Sequence, residues 1–217
     1  MPKWIPEKKW KGQEAFIIGG GDSLKTFDWN LLKPLLTIGC NNAFIHGHEI
    51  CKLCVFGDKK WFDKHKRELE QYKGIVLTNV SQLLNANISW LWTMDRKSRG
   101  LHEDALGWNY NTGAVALNLA LLLGATKIYL LGFDMQLGKK GNSNWHDNTL
   151  DKPDADVYNK FLTGFERCAK DLNKFPGVEV FNIADNSNLI MFPKIGVKEF
   201  WDDRKNDIES SINYDVA

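Results

Sequence analysis

Four cysteines in 217 residues are too few for a disulfide scaffold. Cys51 and Cys54 have Cys-x-x-Cys spacing, but no second pair completes a zinc site. They sit in the strand-like run Ile50–Phe56, where an offset of three puts them on opposite faces. Long apolar stretches are also missing. The longest, Ala114 to Ala125, is too short to span a bilayer, and Met1–Trp10 lacks the apolar core of a signal peptide, so a cytoplasmic protein without a membrane span is expected. A formal charge of +1 gives no global field for nucleic acid or membrane. The local clusters Lys8, Lys9, Lys11 and Lys59, Lys60, Lys64, Lys66, Arg67 read as solvated faces. Neither the Gly-Lys-Ser/Thr ending of a P-loop nor the Gly-x-Gly-x-x-Gly dinucleotide fingerprint is present. There is no Asp-x-Asp at a strand end, since Asp202-Asp203 falls in a polar tail.

What is present suffices for a sizeable core: 43% of the residues are hydrophobic, which suits one domain over 1–200 with a polar extension at 201–217. Apolar runs predict strands at Ala15–Gly19, Leu35–Cys40, Lys52–Phe56, Ile75–Thr78, Lys127–Gly132 and Val178–Asn182. Helices are expected at Trp29–Pro34, Trp61–Tyr72, Thr112–Leu123 and Asp156–Phe175. Such alternation implies an α/β fold, a mostly parallel sheet with helices on both faces. Leu83–Leu106 has no clear pattern, and the Gly-, Asn-, Asp- and Lys-rich stretch Gly138–Asp154 reads as a mobile loop.

Four strand ends carry residues suited to a ligand. The first strand runs into Gly19-Gly20-Gly21, where bare amides and positive φ allow close approach of an anion, and Asp22 and Ser23 offer a cap for the next helix. The second ends in Cys40-Asn41-Asn42, two amide side chains at the edge where ligands collect in open sheets. Asn111-Thr112-Gly113 opens an apolar helix that Thr112 can cap, so its N-terminus presents free amides and partial positive charge. Lys127–Leu131 leads to Gly132 and Asp134, a carboxylate placed for a ribose hydroxyl, a metal or a base. His46 and His48 follow the second strand and could contact ligand. Trp90, Trp92, Trp108 and Trp145 could supply a stacking face.

In this order the motifs Gly-Gly-Gly-Asp-Ser-Leu, Cys-Asn-Asn-Ala-Phe, Asn-Thr-Gly and Ile-Tyr-Leu-Leu-Gly-Phe-Asp resemble the bacterial sialyltransferases of glycosyltransferase family 42. They also resemble the wider set that includes motility accessory factors and the archaeal hydroxymethyl-dihydropterin pyrophosphokinase, with members in phage genomes. The resemblance covers about residues 14 to 192. It implies a Rossmann-like, glycosyltransferase-A type three-layer sandwich with a mobile lid at about 135–155. It further implies a donor contact at Asn41 helped by Asn42, a hydroxyl at Thr112 and a nucleotide-facing neighbourhood at Gly132 and Asp134. Met135 and Gln136 stand where the family has two tyrosines that steady the leaving phosphate. Gly20 and Asp22 stand in place of the family's Asn and Pro. The catalytic base by this resemblance is His146, in the lid. Asn186 and Ser187 match an Asn-Ser turn near the active site.

The expected function is therefore transfer of a sugar from a nucleotide-sugar donor to an acceptor hydroxyl on a glycan, small molecule or modified base. No cofactor is required for this as first choice, and a homo-oligomer is compatible with it. Mg2+, held by Asp58 and Asp134, enters if the donor is a nucleoside diphosphate sugar or if the chemistry is ATP-dependent pyrophosphoryl transfer to a pterin-like alcohol. A nucleotide-sequestering protein without turnover is the remaining alternative.

Overall fold

The computed structural model describes residues 4, 7–146 and 155–204. In strand β1 (Glu14–Ile18), Ala15 and Ile17 enter one hydrophobic core while Phe16 and Ile18 enter another. Successive side chains of a strand point to opposite faces, so a strand covered on both sides reads as a continuous apolar run. Strands β3 (Leu53–Phe56) and β8 (Lys127–Leu131) divide in the same way. Val55 and Leu130 lie in the first core; Phe56 and Leu131 lie in the second. With β2 (Thr37–Cys40), β4 (Ile75–Thr78), β5 (Leu91–Thr93), β9 (Glu179–Ile183) and β10 (Lys194–Ile195) they form one eight-stranded parallel sheet in the order β10-β9-β8-β1-β2-β3-β4-β5. A separate two-stranded ladder joins β6 (Arg96–Lys97) to β7 (Leu106–Gly107).

Helices α2 (Thr112–Leu123) and α3 (Ala155–Asp171) cover the first face. Helix α1 (Lys59–Glu70) and a terminal helix at 197–204 contribute Trp61, Phe62, Phe200 and Trp201 to the second. The chain is thus an α/β, Rossmann-like sandwich. Helix α2 is buried on every side, which its near-uniform apolar sequence requires. Its one interior polar side chain, Asn118, accepts hydrogen bonds from the His102 and Gly107 amides at 3.1 and 3.0 Å and donates to the His102 carbonyl at 2.8 Å.

Several elements differ from expectation. Trp29–Leu32 is a short 3-10 turn in place of a helix through Pro34. Because β3 starts only at Leu53, Cys51 lies outside its alternation, and Cys51 and Cys54 share one core in place of opposite faces. Both are buried free thiols, and burial pushes Cys51 up to about 11. Trp201, at the start of the expected polar extension, is 7% exposed and stacks on Phe16 at 6.0 Å. The extension beyond Arg204 and the loop residues 147–154 lie outside the described residues.

Candidate functional site

From β1 the chain builds outward through β2, β3, β4 and β5, then returns to add β8, β9 and β10 on the other side of β1. The order of the strands therefore reverses between β1 and β8, and loops leaving their carboxyl ends diverge around a crevice. A cleft of about 530 Å3 lies there. Its floor is Gly19, Gly20 and Gly21 after β1, Asn41 and Asn42 after β2, and Gly132 and Asp134 after β8. The start of α2 contributes Asn111, Thr112 and Gly113; Asp58 enters from the end of β3, and His146 from the segment after β8. Asp22, Ser23, Asn186 and Ser187 do not line the cleft.

The glycine turn works by close packing, not by positive φ. None of its three residues has φ above zero. The Gly19 amide donates to the Leu131 carbonyl at 2.7 Å and the Gly21 amide to that of Gly132 at 2.8 Å. Only the Gly20 amide is left without a backbone partner among the described residues. A Cβ on Gly19 would sit 2.6 Å from the Gly132 oxygen, and one on Gly21 would sit 2.6 Å from the Asp134 carboxylate. The glycines thus let the ends of β1 and β8 touch.

Asp22 and Ser23 form no side-chain cap on the 3-10 turn Asp22–Thr26. The reverse holds: Asp134, more than a hundred residues on, accepts from the Ser23 amide at 2.9 Å and from the Ser23 hydroxyl at 2.6 Å. Burial raises the Asp134 carboxyl above its ordinary range against the pull of those bonds, and Asp22 adds to the rise. Asp22 itself pairs with Lys25 at 2.7 Å.

Among the described residues, three that are not glycine have positive φ: Asn41 (50°), Tyr110 (65°) and Met135 (51°). All three line the cleft. Left-handed backbone is costly for residues with a Cβ and concentrates where surrounding structure fixes it for a purpose. The cap of α2 is Asn111, not Thr112: its Oδ1 accepts from the Ala114 amide at 2.7 Å, and its Nδ2 donates to the Asn109 carbonyl at 3.1 Å. Thr112 is the first helical residue, and its hydroxyl faces Asn41 Oδ1 at 3.4 Å. Asn42 is 2% exposed and receives the Trp61 indole N–H at 2.5 Å, while Asp58 caps α1 by accepting from the Trp61 amide at 3.0 Å.

The described part of the loop after β8 lies over the glycine turn. Trp145 donates its amide to Gly20 O at 2.9 Å and its indole N–H to Gly19 O at 3.1 Å. Its ring packs on Trp29 and His46, with centroids 5.2 and 4.7 Å away. His46 stacks on Trp29 at 3.7 Å, and burial holds it below its ordinary 6.5. His146 follows Trp145 into the cleft wall. His48 sits at the opposite edge of the sheet, in a hollow shared with Lys33, Lys52 and Lys73. Asn186 and Ser187 act locally: the Ser187 hydroxyl donates to Phe133 O at 2.6 Å and ties β9 to the end of β8, and the Asn186 carbonyl faces Gln136 at 3.4 Å.

Aromatic walls close the sides. Trp108 lines the cleft, with the Arg96 guanidinium 4.3 Å from its ring centre; Trp90 and Trp92 pack against the cores. Trp61, Tyr110, Tyr158 and Phe161 also line it without having been singled out. Tyr110 stands directly before the Asn111-Thr112-Gly113 motif, between Asn109 and Asn111, where a residue flanked by two asparagines before a helix is a candidate for left-handed backbone. Nothing in the sequence pairs Tyr158 with β8.

Among the described lining residues there is no lysine or arginine, and the only carboxylates are Asp58 and Asp134. No group of three or more His, Cys, Asp or Glu side chains able to hold a metal occurs among the described residues. No helix in the described residues is long and apolar enough to cross a membrane. The chain matches no protein-family model, no curated protein and no solved structure.

Proposed function

We propose that the cleft binds a nucleotide-sugar donor carrying little phosphate charge, and that the protein is a sialyltransferase-like glycosyltransferase of the glycosyltransferase-A type. The observation that carries this reading is the cleft at the β1/β8 strand reversal, walled by Asn41, Tyr110 and Met135 in left-handed backbone. Its charge selects among donors. With no described cation in the lining, positive potential comes from the amides of Thr112 and Gly113 at the start of α2, worth roughly half a unit charge. That suits a nucleoside monophosphate sugar better than ATP or a nucleoside diphosphate.

Donor binding places the phosphate at the α2 N-terminus beside Asn41, with the base against Trp108 or Tyr110. As the acceptor hydroxyl attacks the sugar carbon, His146 takes its proton, the bond from that carbon to the phosphate oxygen breaks, and the departing nucleotide's charge is met by the helix amides. The segment carrying Trp145 and His146 acts as a lid that excludes water during transfer. Mg2+ finds few ligands among the described residues, where the lining offers only the carboxylates Asp58 and Asp134 and no group of three or more possible ligands occurs, so no step runs through a metal.

A thermal-shift panel with CMP, CDP, UDP, GDP, ADP and ATP, each with and without Mg2+, tests the reading. Stabilisation by CMP without metal is expected, and His146→Ala should keep that stabilisation while losing sugar transfer. Stabilisation only by ATP with Mg2+ would replace it by pyrophosphoryl transfer. Binding with no turnover of any sugar donor would leave a sequestering protein.

A further inference from the structure

The Tyr158 hydroxyl, on the first turns of α3, is shielded from water and has no hydrogen-bond partner among the described residues, although its side chain lines the cleft. A sealed donor left unpaired costs free energy and is retained where something supplies a partner. Burial, and after it the charges of Asp134 and Asp22, raise its pKa, so the hydroxyl stays protonated and can donate. Asp134, which lines the same cleft, carries two Ser23 hydrogen bonds, one on each carboxylate oxygen, and each oxygen keeps further acceptor capacity.

A group entering between them must accept from Tyr158 and donate to Asp134. A fully ionised phosphate or a carboxylate has no donor, and any anion there would be repelled by Asp134 and Asp22; an alcohol can both accept and donate. On the nucleotide reading of the cleft, we infer that Tyr158 and Asp134 form a polyol subsite for a hydroxyl pair of the ligand, which sets the ligand's direction, hydroxyls toward β8 and anion toward the start of α2. Tyr158 is then a specificity-determining residue for hydroxylated over deoxygenated ligands.

Tyr158→Phe separates this from a structural role. The free variant should melt at or slightly above the wild-type temperature, because the lost hydroxyl had no partner. Its Kd for CMP should rise roughly five- to tenfold, the worth of one neutral hydrogen bond with its buried partner left unmet. Its Kd for 2′,3′-dideoxy-CMP should equal that of wild type. A midpoint several degrees lower, or an equal loss for CMP and its dideoxy counterpart, would overturn the subsite. Should wild type ignore CMP, UDP and ATP alike, the nucleotide reading fails by itself, and D-ribose at millimolar concentration decides the subsite. Amide shifts at Ser23 and Asp134 that vanish in Tyr158→Phe would support it; silence in wild type would overturn it.

Discussion

Replacing Asn111 by alanine separates the stability of α2 from the charge at its tip. The substitution removes the cap on the Ala114 amide, a 2.7 Å bond, at a cost of about 1–2 kcal/mol. It also takes away the donor to the buried Asn109 carbonyl at 3.1 Å, adding about 1 kcal/mol. A total of about 2–3 kcal/mol in a domain of this size corresponds to a melting temperature roughly 5–10 °C lower. Asn111→Asp keeps the acceptor and places a favourable negative charge at the helix N-terminus, so it should lose only about 1 kcal/mol. That same charge stands where the ligand's phosphate is proposed to bind, and CMP affinity should fall at least about tenfold by Coulomb repulsion in a poorly hydrated cleft. Thermal melts followed by circular dichroism and titration calorimetry with CMP read the two effects. An alanine variant melting within a degree of wild type would refute the cap, and unchanged CMP affinity in the aspartate variant would refute the anion site.

Gly19→Ala places a Cβ 2.6 Å from the Gly132 oxygen and 3.0 Å from the Phe133 ring, so the ends of β1 and β8 must part; chemical denaturation should show a loss of about 1–3 kcal/mol. Trp145→Ala removes the indole bond to Gly19 and the contacts with Trp29 and His46. Trypsin should then cleave at the exposed Lys139 and Lys140 at least several times faster, and an unchanged rate would show that Trp145 does not hold the loop. His46 has its pKa lowered by burial, so below pH 6.5 the unfolded chain binds a proton that the folded chain does not. Stability should therefore rise with pH through that window, and His46→Gln should flatten the rise in denaturation curves taken from pH 5 to 7.

The sheet was legible because parallel strands covered on both faces read as apolar runs: β4 falls at Ile75–Thr78 as expected, and the bounds of β1 and β8 differ by only a residue. The apolar helix α2 likewise falls at Thr112–Leu123. β5, β6, β7 and β10 were not legible, since elements of two or three residues carry no period. At the site, residue types at strand ends pointed to the cleft, but roles depended on partners distant in sequence. Asp134 holds Ser23, Asn42 holds Trp61, and Ser187 ties β9 to β8; each pairing is set by strand order, which local pattern does not encode. Tyr158 was missed for the same reason, because only the packing of α3 brings it to the end of β8.

The central claim is that the reversal between β1 and β8 is a nucleotide site, and amide chemical-shift mapping with CMP tests it most directly. Shifts at Gly20, Asn41, Thr112 and Gly113 are predicted. Their absence, or shifts confined to the lysine-lined hollow of Lys33, Lys52 and Lys73 at the opposite edge, would contradict it.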